Sequence, residues 1–457
     1  MAWISWFAPG LHVKRWLFLI VLGVLICSFG LALMFNYQVL GVAEELLFRM
    51  SYATTGTYSN GLTVAAGVVC LIIGILVMFY ATRRMIFSVV TAVMPDNTSS
   101  LMDLIFTQRK LSNGPAVTVI GGGTGLSTLL RGMKFITNNC TAVVTVGDNG
   151  GSSGRLRQEL GIIPPGDLRH CLTAMADREP LMERVMQYRF EGTSPFAGHC
   201  FGNLFLAAIA ETEGGMEQGL QAASQILKIR GRVIPSTLSD IQLQAVMTDG
   251  TQVLGESEIS EAGKQIAVLE MLPPVAPATD SAVEAIEKAN VLILGPGSLY
   301  TSVIPNLLVR GIRDAVVRSK AVKIYVCNVM TQPGETDGYG AYDHVKALVE
   351  AAHNQFLDYV VVNDQKVSPE QLKQYGAKHQ EPVSPDIEQI ERLGIKAVPT
   401  SLISKEDLVR HDPQKLAQVI MTLIYRLRLF GKGFMFFDYL FVRQSMRKLH
   451  DKLRTKK

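Results

Sequence analysis

The chain is short of charge. Only 18% of its 457 residues are Asp, Glu, Lys or Arg, against 48% apolar, and the mean hydropathy is +0.22. So little charge excludes a disordered chain and is too apolar a balance for a wholly soluble enzyme. Cysteine is also scarce. The six residues, Cys27, Cys70, Cys140, Cys171, Cys200 and Cys327, include no C-x-x-C pair, which excludes a zinc ribbon or a thioredoxin-like site. A reduced, cytosolic compartment is the simplest setting for them. The sequence also lacks an internal repeat, an extended low-complexity tract and a Walker lysine. At roughly 150 residues per domain, its length leaves room for about three units.

Charge is unevenly placed. Within the total of +4, residues 1–110 carry +3, residues 426–457 carry +8 and the middle carries −7. An acidic body argues against a nucleic-acid partner. The apolar excess lies in two uncharged runs of 20 residues, Trp16–Phe35 and Gly61–Tyr80. Each is long enough to cross a hydrocarbon core of ~30 Å. The first is too long for a signal-peptide core, and no clear cleavage site follows it. Lys14 and Arg15 precede the first run, and Arg83 and Arg84 follow the second. The positive-inside rule then puts both flanks in the cytoplasm. With no ionisable residue in either run, an anchor is expected rather than an ion pathway.

The body opens as an α/β unit. Ala116–Ile120 is a β-branched run that enters Gly121, Gly122, Gly123, Thr124, Gly125, Leu126, Ser127 and Thr128. A strand, a glycine turn and an amphipathic stretch offer backbone N–H groups and a positive helix end to an anion. Thr124, Ser127 and Thr128 can add hydroxyls. The third glycine of G-x-G-x-x-G is missing, so a turn that binds nothing is the alternative. A second strand, Ala142–Val146, leads into Asp148, Asn149, Ser152, Ser153, Arg155 and Arg157. An acid at that strand end suits ribose hydroxyls, and arginines after a serine–glycine loop suit a diphosphate.

Four later features fit the same scheme. In Pro164–His170, Asp167 reads as a helix N-cap or a ligand residue. Gly198–Leu204 opens an apolar helix on which His199 and Asn203 would lie one turn apart, His199 being structural or catalytic. Val291–Leu294 is a buried strand ending in Gly295, Pro296, Gly297, Ser298 and Thr301. Lys323–Val329 is another, followed by the loop Met330–Thr336. Four polar loops at four strand ends imply one composite site. Residues 230–275 alternate apolar and polar around the Asp249-Gly250 turn, as in a small β-rich insert.

Six strings, GGGTGLSTLLRGMK (121–134), DNGGSSGRLR (148–157), PPGDLRHCL (164–172), GHCFGNL (198–204), GPGSLYTSVIPNLLV (295–309) and NVMTQPGET (328–336), together resemble the gluconeogenesis-factor family, relatives of the 2-phospho-L-lactate transferases. The resemblance covers about 115–425. It implies a Rossmann-like, mostly parallel sheet that binds a nucleotide sugar such as a UDP-sugar, or another nucleotide diphosphate. It further implies regulation of cell shape and envelope synthesis during gluconeogenic growth. The family's transferases move a phospholactate unit from a guanosine diphosphate carrier to a deazaflavin precursor. Two positions depart from the family pattern: Asn149 replaces a second Asp, and His170 replaces an Asn. Losing one carboxylate weakens the match to Mg²⁺, the one cofactor the resemblance suggests.

The expected organisation is a transmembrane hairpin (1–94), a linker (95–114), the nucleotide-binding body (115–425) and a basic amphipathic tail (426–457). The tail either lies on anionic lipid or packs on the body. The body and both termini are expected at the cytoplasmic side of the inner membrane, with lipid as a partner; a homo-oligomer is compatible with the sequence. The ligand-binding residues expected are Gly122, Gly123, Thr124, Gly125, Asp148, Asn149, Ser152, Ser153, Arg155, Asp167, His199, Asn203, Gly297, Ser298 and Thr301, with no dedicated metal ligands. A regulator is favoured because no nucleophile–base pair or intact acidic pair is visible. A transferase using Asp148 and His199 is the alternative.

Overall fold

The two apolar runs form long helices. The structure, a computed structural model, describes residues 13–34, 61–93 and 111–427 except 178, 370–371, 373–378 and 405–408, together with a few isolated positions. The chain divides into two units, Met1–Thr107 and Gln108–Lys457. Nearly all of the tail expected over 426–457 and most of the stretch expected as a linker lie outside the described residues.

In the first unit, α1 (Val13–Met34) packs on α2 (Gly61–Val93). Both are long and apolar enough to cross a membrane. Helix α2 does not stop at Tyr80 but continues past Arg83 and Arg84. Large side chains such as Phe18, Leu25, Leu76 and Phe79 point outward, while glycines line the seam. A Cβ on Gly30 would stand 2.8 Å from the Gly67 carbonyl oxygen, and one on Gly67 would stand 2.7 Å from that of Gly30. Gly23 and Gly74 make the same close approach further along. Small residues at a helix seam let backbones approach where lipid offers no hydrophobic drive. At one end of the pair, Trp16 and Tyr80 meet edge to face, and the Arg84 guanidinium lies 5.9 Å from the Trp16 ring.

The second unit is built on a seven-stranded parallel sheet in the order β10-β9-β8-β7-β1-β2-β3. Its strands are β1 (Val117–Gly121), β2 (Cys140–Val144), β3 (Arg232–Pro235), β7 (Val291–Leu294), β8 (Val322–Val326), β9 (Tyr359–Asn363) and β10 (Lys396–Thr400). β1, β2 and β7 are buried along their whole length, which is why they read as continuous apolar runs rather than alternating ones. From β1 the chain winds outward to β2 and β3, then returns to the other side of β1 with β7. That reversal is the Rossmann-like switch point.

Helices α3 (Gly123–Met133), α4 (Gly151–Leu160), α5 (Gly166–Met175) and α6 (Phe201–Thr212) follow the first two strands. Leu126, Leu129, Leu130 and Met133 bury the inner face of α3. Gly132 lets α8 (Pro413–Arg426) lie against its other side, where a Cβ would meet the Pro413 carbonyl and Ala417.

The β-rich insert is a three-stranded antiparallel sheet, β5-β4-β6. Its strands are β4 (Gln242–Met247), β5 (Gln252–Leu254) and β6 (Ile266–Leu272), with the short helix α7 (Glu256–Glu261) between the last two. The Asp249-Gly250 turn joins β4 to β5 as expected. The insert is narrower than 230–275, however. Val233 and Ile234 are buried and pair with β2, so β3 belongs to the main sheet. A bridge between Thr237 and Ala278 closes the insert's neck.

Candidate functional site

The four polar loops of the sequence follow β1, β2, β7 and β8, which are neighbours in the sheet. Their strand ends therefore form one continuous rim. At the switch point the loops after β1 and β7 touch backbone to backbone. A Cβ on Gly125 would stand 2.7 Å from the Gly297 Cα and from the Pro296 oxygen. Asn328, beyond β8, holds Gly297 from both sides: its Nδ2 donates to the Gly297 oxygen at 2.7 Å and its Oδ1 accepts from the Gly297 N–H at 3.3 Å. Asn306 Nδ2 donates to the Gly121 oxygen at 3.3 Å. These contacts bring glycine backbone together at the start of α3, on the rim where open α/β sheets bind ligands in a crevice, and the first-turn N–H groups of α3 lack intrahelical partners by construction. Gly123, at φ +64, takes a conformation that favours glycine. Thr124 is exposed there. Ser127 and Thr128 are not available donors, because their hydroxyls bond the Gly123 and Thr124 carbonyls of their own helix.

Beside this crevice lie four carboxyl groups. Asp148 Oδ1 accepts from the Gly150 N–H at 2.8 Å. Asp167 does not cap its helix. Pro165 occupies the cap position, and Asp167 sits in the first turn of α5. From there its carboxylate reaches across to Gly122, where any Cβ would collide with Oδ2. Burial, and then the charge of Asp148, push the Asp167 carboxyl up to about 7, against the lowering effect of the Gly123 N–H. Glu256, from α7 of the insert, is held well above the usual carboxylate range by burial and by Asp167, Asp148 and Glu335. Glu335, in the loop after β8, is raised chiefly by burial. It accepts from Ser260 Oγ at 2.9 Å, Gln332 Nε2 at 2.5 Å and Thr301 Oγ1 at 3.4 Å, and also from the Ser298 hydroxyl.

The acidic pair that is missing from the sequence motif is thus made across space by Asp148 and Asp167, with Glu256 and Glu335 near them. Glu335 lay within a loop already marked as polar; Glu256 carried no signal, because only the folded insert brings it to the rim. Among the described residues, no group of three or more His, Cys, Asp or Glu is placed to hold a metal ion alone. Asp148 and Asp167 are oxygen ligands of the kind Mg²⁺ prefers, but a ligand's own phosphates would have to complete its shell.

The remaining expected residues brace the loops around the rim. His199 is not helical; it precedes α6, whose cap is Cys200. Its Nδ1 lies 3.2 Å from Ser152 Oγ, which also accepts from the Cys200 N–H at 3.1 Å. Desolvation and the charge of Arg155 lower the His199 pKa. Ser152 is 3% exposed and His199 5%, so the pair clasps two loops rather than facing the crevice. Asn203 Nδ2 donates to Ser153 Oγ at 3.3 Å, and Asn203 Oδ1 accepts from Arg169 Nε at 2.8 Å. Arg155 donates to the Ala197 oxygen at 3.0 Å. Arg157 is committed to an ion pair with Asp240. Asn149 spends both polar ends on the insert: Oδ1 accepts from the Ser257 N–H at 3.0 Å and Nδ2 donates to Glu258 Oε2 at 2.7 Å.

Residues 117–403 match the family model described as "2-phospho-L-lactate transferase CofD". A Nostoc sp. protein named "Putative gluconeogenesis factor" is 44% identical over 92% of both chains. A Bacillus subtilis "Gluconeogenesis factor" is 43% identical over 68% of this chain and 98% of its own. A crystal structure of a Bacillus halodurans protein superposes with a TM-score of 0.65 at 44% identity, covering 67% of this chain and 99% of that one.

Proposed function

The chain belongs to the 2-phospho-L-lactate transferase CofD family, and on that premise we propose that its body is a receptor for UDP-sugars. Held at the cytoplasmic face of the inner membrane by α1 and α2, it would regulate cell shape and envelope synthesis during gluconeogenic growth. The observation that carries the binding reading is the contact of Gly125 with Pro296 and Gly297 at the switch point. With no side chains between them, the glycine backbones meet beside the N-terminus of α3, a setting that suits a diphosphate. The carboxyl groups of Asp148 and Asp167 lie beside it, where a ribose or hexose presents hydroxyl donors. Arg155, on α4, supplies positive charge near the same rim. The membrane reading rests on the length and composition of the two helices, their glycine seam and the aromatic–arginine cluster at one end.

A second reading is favoured by one feature. The Asp148–Asp167 pair provides oxygen ligands for Mg²⁺, whose charge would offset the repulsion between them. That combination suits a transferase acting on a nucleotide diphosphate-activated donor. Bound Mg²⁺ would supply charge neutralisation at the diphosphate. The chain's own part is to orient the diphosphate at the start of α3, with Asp148 and Asp167 placed to hold the metal as carboxylates.

Isothermal calorimetry with UDP-glucose and with GDP, each with and without Mg²⁺, separates the two readings. Binding of UDP-glucose that is weakened at least tenfold in Arg155→Ala, and unchanged in a remote surface variant such as Arg318→Ala, supports the receptor. Tight, Mg²⁺-dependent GDP binding with no UDP-glucose heat would replace it with the transferase.

A further inference from the structure

Helix α7 belongs to the insert, yet it spans two loops of the main sheet. At one end it is tied to the loop after β2. Asn149 Oδ1 takes the Ser257 N–H, and Asn149 Nδ2 donates to Glu258. At the other end Ser260 Oγ donates to Glu335, in the loop after β8, at 2.9 Å. Two glycines make these approaches feasible. A Cβ on Gly255, which has φ +105, would collide with both Asn149 Nδ2 and Glu258 Oε2, and one on Gly334 would stand 2.9 Å from the Ser260 oxygen. Ile259, buried completely between the two ties, seats the helix on the insert's own core. The first residue of α7 is Glu256, which feels the charges of Asp167, Asp148 and Glu335.

We propose that Asn149 is a positioning residue: it latches α7 across the cleft and so delivers the Glu256 carboxyl to the bound ligand. This rests on the reading of the cleft as a nucleotide-sugar site, which it deepens by assigning the insert a part in recognition. The amide is the only common side chain of this size that can do both jobs. Its oxygen accepts from a backbone N–H while its nitrogen donates to a carboxylate. An aspartate at this position would keep the first bond but turn the second into a contact between two carboxylates. The residue that reads in the sequence as a lost metal ligand therefore has its own chemical reason for being Asn. Glu256 then stands beside Asp148, Asp167 and Glu335 as a further polar group to meet a ligand's hydroxyls.

The test uses the full-length protein and four forms of it: wild type, Asn149→Asp, Glu258→Gln and the double variant. The first readout is backbone hydrogen exchange over residues 252–262 without ligand. Asn149→Asp is expected to speed exchange of the α7 amides about tenfold or more. The double variant restores protection, because the amide introduced by Glu258→Gln can donate to the carboxylate introduced by Asn149→Asp. The second readout is UDP-glucose affinity, which should fall at least tenfold in Asn149→Asp and recover in the double variant. Rescue by a second substitution separates positioning from a general loss of structure. Should Asn149→Asp not fold, Glu258→Ala removes the same bond from its exposed end and should speed exchange severalfold. Wild-type exchange in Asn149→Asp or, failing that variant, in Glu258→Ala overturns the latch, as does a double variant that exchanges no more slowly than Asn149→Asp. Failure of the wild type to bind UDP-glucose counts against the ligand reading alone, since the exchange experiment needs no ligand.

Discussion

Asp167→Asn tests the electrostatics of the cleft. Asn keeps the shape of the side chain and an oxygen that can accept from the Gly123 N–H, while removing the titration. The folded carboxyl has a pKa of about 7 against an ordinary 3.8. Below about pH 4 it is protonated whether the chain is folded or not, and its burial costs nothing through ionisation. Between about 4 and 7 the unfolded chain releases the proton and the folded one keeps it, so stability falls by up to ~1.4 kcal/mol per pH unit. Above 7 the loss levels off. Asp167→Asn should therefore stabilise the protein more at pH 8 than at pH 5, a span that contains about two units of the fall. The ceiling for that difference is ~3 kcal/mol, and coupling to Asp148 together with partial access to water brings the expectation to about 1–2 kcal/mol. Urea denaturation of the wild type and the variant at both pH values measures it as the change in the wild-type–variant gap. Equal gaps at pH 5 and pH 8, or a variant less stable than wild type at pH 8, would refute the claim that this carboxyl is strained by burial and by Asp148.

Three further outcomes follow from other parts of the molecule. Gly67→Leu puts a side chain where the Gly30 carbonyl stands 2.7 Å from a Cβ. It should loosen the α1–α2 pair by roughly 1–2 kcal/mol, seen as a lower melting temperature of the helical signal in detergent, while an outward-facing Phe79→Leu leaves it unchanged. Arg169→Ala removes the side chain that bonds Asn203 at 2.8 Å, the Met186 oxygen at 3.3 Å and His170 at 2.8 Å. With those partners left buried, it should cost about 3 kcal/mol or more in urea denaturation. Glu335→Gln presents an NH₂ group to donors that now point at an oxygen, and a loss of about 1–3 kcal/mol is expected by the same measurement.

What the sequence reveals, and what it hides, follows from how far apart the cooperating residues lie. The strands that frame the cleft were legible because their burial on both faces leaves unbroken apolar runs. Val291–Leu294 reads as a strand with the bounds it has in the structure, and β1 reads one position early. The loops were legible because glycine is required where backbones touch, as at Gly125 and Gly297. The glycine seam of α1 and α2 needed the pairing of two helices to acquire meaning, since neither run contains a G-x-x-x-G string. The acid cluster was hidden for a deeper reason. Asp148 and Asp167 lie 19 positions apart, and Glu256 and Glu335 come from an insert and from the far side of the switch point. Their approach depends on the sheet order β8-β7-β1-β2, which no local spacing encodes. The same holds for misassigned donors. Ser127 and Thr128 look like phosphate ligands until helix α3 forms, and then each finds a carbonyl four residues back. Asn149 is the sharpest case. Beside Asp148 it reads as half of a broken carboxylate pair, whereas in the fold its two polar ends face an insert more than a hundred residues away. A substitution at a motif position is therefore interpretable only with the partner in view, and here the partner, Glu258, makes the amide the chemically favoured choice.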